Sequence, residues 1–263
     1  MINNKKVVVI MPAYNAEKTL KQTYDEIYHE VVDEIILVDD NSSDNTKVIS
    51  KELAITTIVH SKNKGYGANQ KSCYKAALNA GADIVIMLHP DYQYTPKLIP
   101  AMAAMMAFGE YDAVIASRLL GNSALKGGMP VYKFIANQFL TGFENLFLGE
   151  KLSEYHTGFR GFTKEILEKL PLAECNDDFI FDNECLALLF YHGYKIGELS
   201  CPTKYFKEAS SINFLRSCKY GMGVLAVSIQ YRLAKLGIFK SKIFRRDAKK
   251  LDFDSAMEYF YKQ

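Results

Sequence analysis

Apolar residues fall in short unbroken runs along the first half of the chain. Residues 7–11, 35–38 and 84–88 are each wholly aliphatic or methionine, and 113–116 is a fourth run of the same kind. A run without polar alternation fits a strand covered on both faces, as in a parallel sheet with helices on either side. Between the runs the spacing turns helical. Over 19–31, Leu20, Tyr24, Ile27 and Tyr28 share one face. Residues 44–53 follow Ser43 and Asp44, either of which can cap free backbone N–H groups. Residues 66–80 follow a Gly-x-Gly turn. Strand alternating with helix predicts a doubly wound α/β sheet.

Later the pattern loosens. Residues 121–130 hold three glycines and read as a mobile loop. Residues 131–148 read as a long helix with an aromatic-rich face of Phe134, Phe139, Phe143 and Phe147. Residues 158–163 read as extended, 181–191 as helical and 195–201 as a strand ending before Pro202. From 212 onward only helices are expected. This divides the chain into an α/β domain over 1–210 and a helical C-terminal extension over 211–263.

Composition narrows the function classes. A chain of 263 residues allows one large α/β domain with a small appendage. At 49% hydrophobic it can bury a real core, and a net charge of +2 gives no field to draw nucleic acid. The five cysteines are odd in number and show no Cys-x-x-Cys spacing, which disfavours a disulfide framework or a structural zinc site. The first apolar run ends at Pro12, too short for a signal peptide, so a cytoplasmic enzyme is expected. The best candidate span, 222–239, is broken by Gln230, Arg232 and Lys235. Beyond it Lys240, Lys242, Arg245, Arg246, Lys249 and Lys250 stand against a single acid, Asp247. Such a cluster suits peripheral contact with anionic lipid, a solvated helical face or an oligomer contact.

The chemistry gathers at strand ends. In Leu88-His89-Pro90-Asp91-Tyr92-Gln93 a carboxylate and an amide stand two residues apart after a buried strand. They can face one ligand, and they suit a hard divalent cation carrying a diphosphate. A second acidic strand end, Asp39-Asp40-Asn41-Ser42-Ser43-Asp44, and an opening loop, Pro12-Ala13-Tyr14-Asn15-Ala16-Glu17, precede it. These three segments, in that order, resemble the family 2 glycosyltransferases of the GT-A fold. The resemblance runs over residues 5–207 and points to the dolichol- and polyprenyl-phosphate sugar transferases and their soluble relatives.

The resemblance implies an inverting glycosyltransferase. It would move a sugar from a nucleoside-diphosphate sugar to a glycan, lipid-linked or polyprenyl-phosphate acceptor with the help of Mn²⁺ or Mg²⁺. Pro12, Tyr14 and Glu17 match the loop that wraps the nucleotide. Asp39 and Asp40 match the segment that contacts base or ribose, although residues 40–46 also make an ordinary capped helix start. Lys64 lies in Asn63-Lys64-Gly65-Tyr66-Gly67, beside the base in the family. This glycine turn does not follow the first strand, so it is no dinucleotide fingerprint.

Asp91 matches the second aspartate of an Asp-x-Asp metal motif and Gln93 its supporting glutamine, while His89 replaces the first aspartate. Imidazole suits Mn²⁺ or Zn²⁺ better than Mg²⁺. The alternative is that His89 packs against the ligand without touching metal. Arg118 matches a residue near the donor phosphates or the acceptor, and a surface salt bridge is its bland reading. Glu154 matches the acid preceding Thr157-Gly158-Phe159-Arg160 and is a candidate general base, with His156 as its competitor. Arg160 either holds a phosphate or stitches the motif to the core. Asp182, with Glu184, matches an acidic segment under the acceptor site, where acids also suit a helix N-terminus. The contrasting reading is a catalytically silent sugar-nucleotide sensor or scaffold, favoured by the missing first aspartate.

Overall fold

The computed structural model describes residues 1–121, 123–205, 214–253 and 258–262. Seven strands form one sheet: β1 (Val7–Ala13), β2 (Glu34–Asp39), β3 (Thr56–Val59), β4 (Ile84–Met87), β5 (Ala113–Ser117), β6 (Arg160–Thr163) and β7 (Ile196–Ser200). Their order is β3-β2-β1-β4-β6-β5-β7. Among the described strands only β6 runs antiparallel to its neighbours, pairing Met87 with Arg160 on one side and Ile115 with Arg160 on the other. The expected doubly wound, mostly parallel sheet is therefore present.

Nine helices connect and cover the described strands: α1 (Leu20–Asp25), α2 (Thr46–Glu52), α3 (Tyr66–Asn79), α4 (Ile99–Ala107), α5 (Ser123–Lys126), α6 (Val131–Leu148), α7 (Lys164–Lys169), α8 (Phe181–His192) and α9 (Phe214–Lys235). The unbroken apolar runs are explained by two cores, one on each face of the sheet. Along β1, Val8 and Ile10 join the core shared with α3 and α8, while Val7, Val9 and Met11 join the core shared with α1 and α4.

Several expectations need correction. The helix expected over 19–31 stops at Asp25, because the chain must turn to bring the Asp33 carboxylate onto the Val7 N–H at 2.7 Å. β3 escaped the run-based reading because Thr56 and Thr57 interrupt its apolar residues, and α4 because an alanine- and methionine-rich segment shows no contrast between its faces. The loop expected over 121–130 contains α5. The tail beyond α9 returns to the body of the protein. Ile243 and Phe244 are buried beside Tyr191 and Tyr231, and Tyr261 bridges to Thr57 on β3. The domain boundary expected at 210/211 lies outside the described residues.

α6 is inverted relative to an ordinary surface helix. Its buried positions are Asn137, Thr141, Glu144 and Leu148, three polar residues and one apolar. Its exposed positions include Tyr132, Ile135, Phe139 and Leu146. The aromatic-rich face read from the sequence is not the core face: Phe139 is exposed, and Phe134, Phe143 and Phe147 are half-buried.

Candidate active site

The carboxyl ends of β1, β2 and β4 open into a cavity of about 1350 Å³, closed on the far side by α6, α8 and α9. Ligands of open α/β sheets bind at this end of the strands. Pro12, Tyr14, Asp40, Lys64, His89, Asp91, Gln93, Arg118, His156 and Asp182 all line it. Glu17, Asp39, Glu154 and Arg160 do not.

On the β1–β2 wall, two asparagines in the left-handed region, Asn15 (φ 53°) and Asn41 (φ 63°), turn the loops towards each other. Asn15 N–H donates to Ser42 Oγ at 2.8 Å, and Ser43 N–H donates to Asn15 Oδ1 at 3.0 Å. Glu17 accepts from the Asn45 N–H at 3.0 Å and so ties the first loop to the start of α2. Asp44, expected to cap that helix, accepts from the Thr46 N–H at 3.0 Å. Burial raises the Asp44 carboxyl, but the bonds from Thr46 and Glu17 outweigh it and leave it below its ordinary value. Tyr14, 57% exposed, stands over the cavity.

Asp40 is held by three donors: the Lys64 N–H at 2.8 Å, the Gly65 N–H at 3.0 Å and His60 Nδ1 at 2.7 Å. His60 Nε2 in turn lies 3.0 Å from Ser72 Oγ. Gly65 is required here, since its φ is +100° and a Cβ would sit 2.6 Å from the Asp177 carbonyl oxygen. Asp39 accepts from the Ser42 N–H at 2.7 Å with one oxygen, while its Oδ2 is buried without a partner.

After β4, Tyr92 adopts φ 57° between Asp91 and Gln93, an uncommon conformation for a bulky residue and one found at functional turns. The Gln93 N–H donates to Asp91 Oδ1 at 3.1 Å. His89 stacks on Tyr66, and its Nε2 is 3.0 Å from the Tyr66 hydroxyl. Its ring also fills the space over Gly158, where a Cβ would come within 2.6 Å. Burial pushes His89 below its ordinary value, against the pull of Asp91. Among the described residues no three His, Cys, Asp or Glu side chains gather into a metal cage. Asp91 and Gln93 still offer two oxygen donors to one cavity. That partial set fits a hard cation whose other ligands are phosphate and water.

The opposite wall is built from buried ionisable groups. Arg118 Nε donates to Glu154 Oε1 at 2.7 Å, its Nη2 is paired with the same carboxylate, and its N–H donates to Glu154 Oε2 at 2.7 Å. Asn137 Nδ2 adds a further bond to Glu154 at 2.8 Å. Burial would raise the Glu154 carboxyl, but the Arg118 guanidinium holds it below its ordinary value. Arg160 is fully buried, donates to the backbone carbonyls of Thr157 and Asp182, and lies 3.6 Å from the Asp182 carboxylate. Asp182, in the first turn of α8, accepts from Gln70 Nε2 and the Tyr66 hydroxyl, both at 2.9 Å. Glu184 turns away and accepts from the Asn176 N–H at 2.5 Å.

His156 belongs to a closed ring of four side chains. The Tyr220 hydroxyl donates to Asn183 Oδ1 at 2.6 Å, and Asn183 Nδ2 donates to Glu144 Oε1 at 2.7 Å. Glu144 Oε2 faces His156 Nε2 at 3.3 Å, and His156 Nδ1 returns to Tyr220 at 2.8 Å. Glu144 Oε2 and His156 Nε2 are both buried, and neither makes a hydrogen bond elsewhere or, in this geometry, to the other. Burial pushes Glu144 up to about 8 and His156 down to about 4. Those directions favour a neutral carboxyl facing a neutral imidazole, with the Glu144 proton the one donor placed to close the 3.3 Å gap. Nearer the mouth, Lys133 and Arg216 line the cavity, with burial and the Arg118 charge lowering the Lys133 ammonium.

His60, Tyr66, Gln70, Glu144, Asn183 and Tyr220 were not singled out from sequence. Glu144 had a signal, as the sole acid of an aromatic-rich helix. The others had none, since each acts through a partner that no spacing rule links to it.

Comparison with known proteins bears on this site. The sequence model described as "Glycosyl transferase family 2" matches residues 8–171. An uncharacterized protein of Methanocaldococcus jannaschii is 30% identical over 210 residues, spanning 80% of this chain and 86% of its own. The UDP-N-acetylglucosamine–dolichyl-phosphate N-acetylglucosaminyltransferase of Methanococcus voltae is 29% identical over 219 residues, 77% of this chain and 87% of its own. Among solved structures, glucosyl-3-phosphoglycerate synthase of Mycobacterium tuberculosis, in complex with Mn²⁺, UDP and glucosyl-3-phosphoglycerate, superposes with a TM-score of 0.66 at 17% identity. That match covers 91% of this chain and 82% of the other, a likeness of fold.

Proposed function

The chain belongs to glycosyl transferase family 2 and is a glycosyltransferase using a sugar-nucleotide donor; we propose that it passes the sugar, with inversion, to the phosphate of a lipid-linked acceptor. What carries the acceptor assignment is the condition of the three candidate bases. A hydroxyl nucleophile must lose a proton as it attacks, and the base must be within hydrogen-bond reach. Glu154 spends both oxygens on Arg118 and Asn137 and does not reach the cavity. Asp182 spends both on Gln70 and Tyr66, and His156 turns Nδ1 to the Tyr220 hydroxyl and Nε2 to Glu144. A phosphate monoester arrives already ionised and needs no base. Arg118, Lys133 and Arg216 on the cavity wall suit its charge. The dolichyl-phosphate acceptor in the name of the Methanococcus voltae relative supports the same choice.

The remaining residues take roles that follow from their contacts. Pro12, Tyr14, Asp40 and Lys64 form the nucleotide wall, with Glu17 and Asp39 holding the loops that carry it. Glu154 and Arg160 are positioning residues: the first fixes Arg118, the second fixes the 157–160 backbone against α8. His89 orients Tyr66 and packs on Gly158. Asp91 and Gln93 would hold Mn²⁺ or Mg²⁺ carried in with the donor, and a cation bound there neutralises charge building on the departing diphosphate. In-line attack is favoured because acceptor and donor meet from opposite walls of one cavity.

Calorimetry with UDP-, GDP- and dTDP-sugars, with and without Mn²⁺, tests the donor half. The expected result is metal-dependent binding of one nucleotide, weakened about tenfold or more in Asp91→Ala, the scale of losing a charged ligand. Binding indifferent to both metal and Asp91 would remove the metal assignment. Absence of binding by any donor would favour a non-catalytic scaffold.

A further inference from the structure

We propose that the outward faces of α6 and α9 form a docking surface for a bilayer rich in anionic phospholipid, with the cavity mouth turned towards the lipid. A helix on a soluble protein ordinarily buries its apolar stripe and shows its polar one. α6 does the reverse. Asn137, Thr141 and Glu144 face inward, where they build the catalytic wall. Tyr132, Ile135, Phe139 and Leu146 face outward, each between 59% and 72% exposed. They recur at three- to seven-residue intervals, so they line one side of the helix. α9 continues the surface beside α6, with Met222 68% and Ile229 42% exposed. Monomers rarely leave contiguous apolar patches of more than a few hundred Å² in water. The patch also runs into the site, because Tyr132, Phe139 and Met222 both line the cavity and face outward.

Charge selects the occupant. α6 and α9 carry Lys133, Arg216, Lys219, Arg232 and Lys235, against a single acid, the buried and neutral Glu144. Two copies meeting on this face would set basic rim against basic rim. An anionic headgroup layer complements it, each lysine or arginine near such a surface contributing on the order of 1 kcal/mol. Tyrosine and phenylalanine suit the depth where acyl chain meets headgroup. Among the described residues no helix is long and apolar enough to cross a membrane, so the contact lies along the surface. The docking stands on this geometry alone; only the delivery of a lipid-borne phosphate into the mouth rests on the acceptor proposed above.

Flotation of the full chain with vesicles of phosphatidylcholine mixed with phosphatidylglycerol, against vesicles of phosphatidylcholine alone, is the test. The wild type should partition onto the mixed vesicles and far less onto the neutral ones. Ile135→Glu/Ile229→Glu, at positions off the cavity, should lower that partition about tenfold or more, with sugar-nucleotide affinity by calorimetry unchanged. Equal partition of wild type and variant, or none by either, overturns the proposal. So does sedimentation showing a wild-type dimer that the double variant dissociates, which would make the face a self-interface. Lost donor binding with intact flotation would instead count against the transferase reading and leave docking standing.

Discussion

On the nucleotide wall, Asp40 is held by the N–H groups of Lys64 and Gly65 and by His60, and Glu17 by Asn45, all within about thirty residues along the chain. On the opposite wall, the proposed acceptor wall, Asp182 is held by Tyr66 from 116 residues away, and His156 by Tyr220 from 64. The first wall is made of turns whose own backbone satisfies their side chains. The second is made of ionisable groups that satisfy one another after the chain has folded. An exposed turn bond such as that of Glu17 tolerates loss, because water replaces it. A buried network does not, because each lost partner leaves charge or an orphaned polar atom in a dry place.

Removing a counterion from the acceptor wall should do the most damage. Glu154→Ala leaves Arg118 buried without its carboxylate, and breaking such a pair costs about 3–5 kcal/mol. Denaturant unfolding should register that loss, and Glu154→Gln should recover part of it by keeping the bond from Asn137. A Glu154→Ala protein of unchanged stability would erase the contrast between the walls.

The His156 ring gives a pH signature of intermediate size. Glu144 is raised from 4.5 to about 8 in the fold, so the folded state holds a proton that the unfolded chain releases above 4.5. Its stabilisation is complete below pH 4.5 and is lost as pH rises towards 8. His156 is lowered from 6.5 to about 4, so its contribution runs the other way and is complete above 6.5. The two oppose each other between 4.5 and 6.5. Between 6.5 and 8 only Glu144 acts, and stability should fall by up to about 1.4 kcal/mol per pH unit. Thermal melts across that window should show the decline in wild type, and Glu144→Gln should flatten it. A wild type already flat there would mean that Glu144 is ionised and the ring open.

Changes on the nucleotide wall should be gentler. Glu17→Ala removes one acceptor at the start of α2 and should cost about 1 kcal/mol in unfolding, the size of a lost helix cap. Tyr14→Ala should leave stability within about 0.5 kcal/mol, since the side chain is mostly in water. Its effect belongs to binding, with donor affinity falling about tenfold if the ring stacks on the base. A Tyr14→Ala protein that melts early but binds normally would place this residue among the structural ones.

The same contrast explains what the sequence made legible. Strand runs and their carboxyl-end acids are contiguous, so 7–11, 35–38 and 84–88 announced the sheet, and Asp40, Asp91 and Gln93 pointed to the cavity that they line. β3 and α4 were missed because periodicity vanishes when threonines interrupt a strand or when a helix is apolar all round. The length of α6 is legible, but which of its faces is buried is not, since hydropathy alone does not say that a polar stripe will be buried by a polar network. Tyr66, Gln70, Asn183 and Tyr220 acquire roles only through long-range pairing, which no single-chain spacing encodes.

The central claim, that this glycosyltransferase needs no protein base because its acceptor is a phosphate, is tested most directly by offering two acceptors that differ only there. Purified protein, donor and divalent cation would be incubated with a polyprenyl phosphate or with the matching polyprenol, and products read by mass spectrometry. The account predicts glycosylated polyprenyl phosphate and no glycosylated alcohol, with turnover retained in Glu144→Gln. Efficient transfer to the alcohol would contradict it and return one of Glu154, His156 or Asp182 to the role of base.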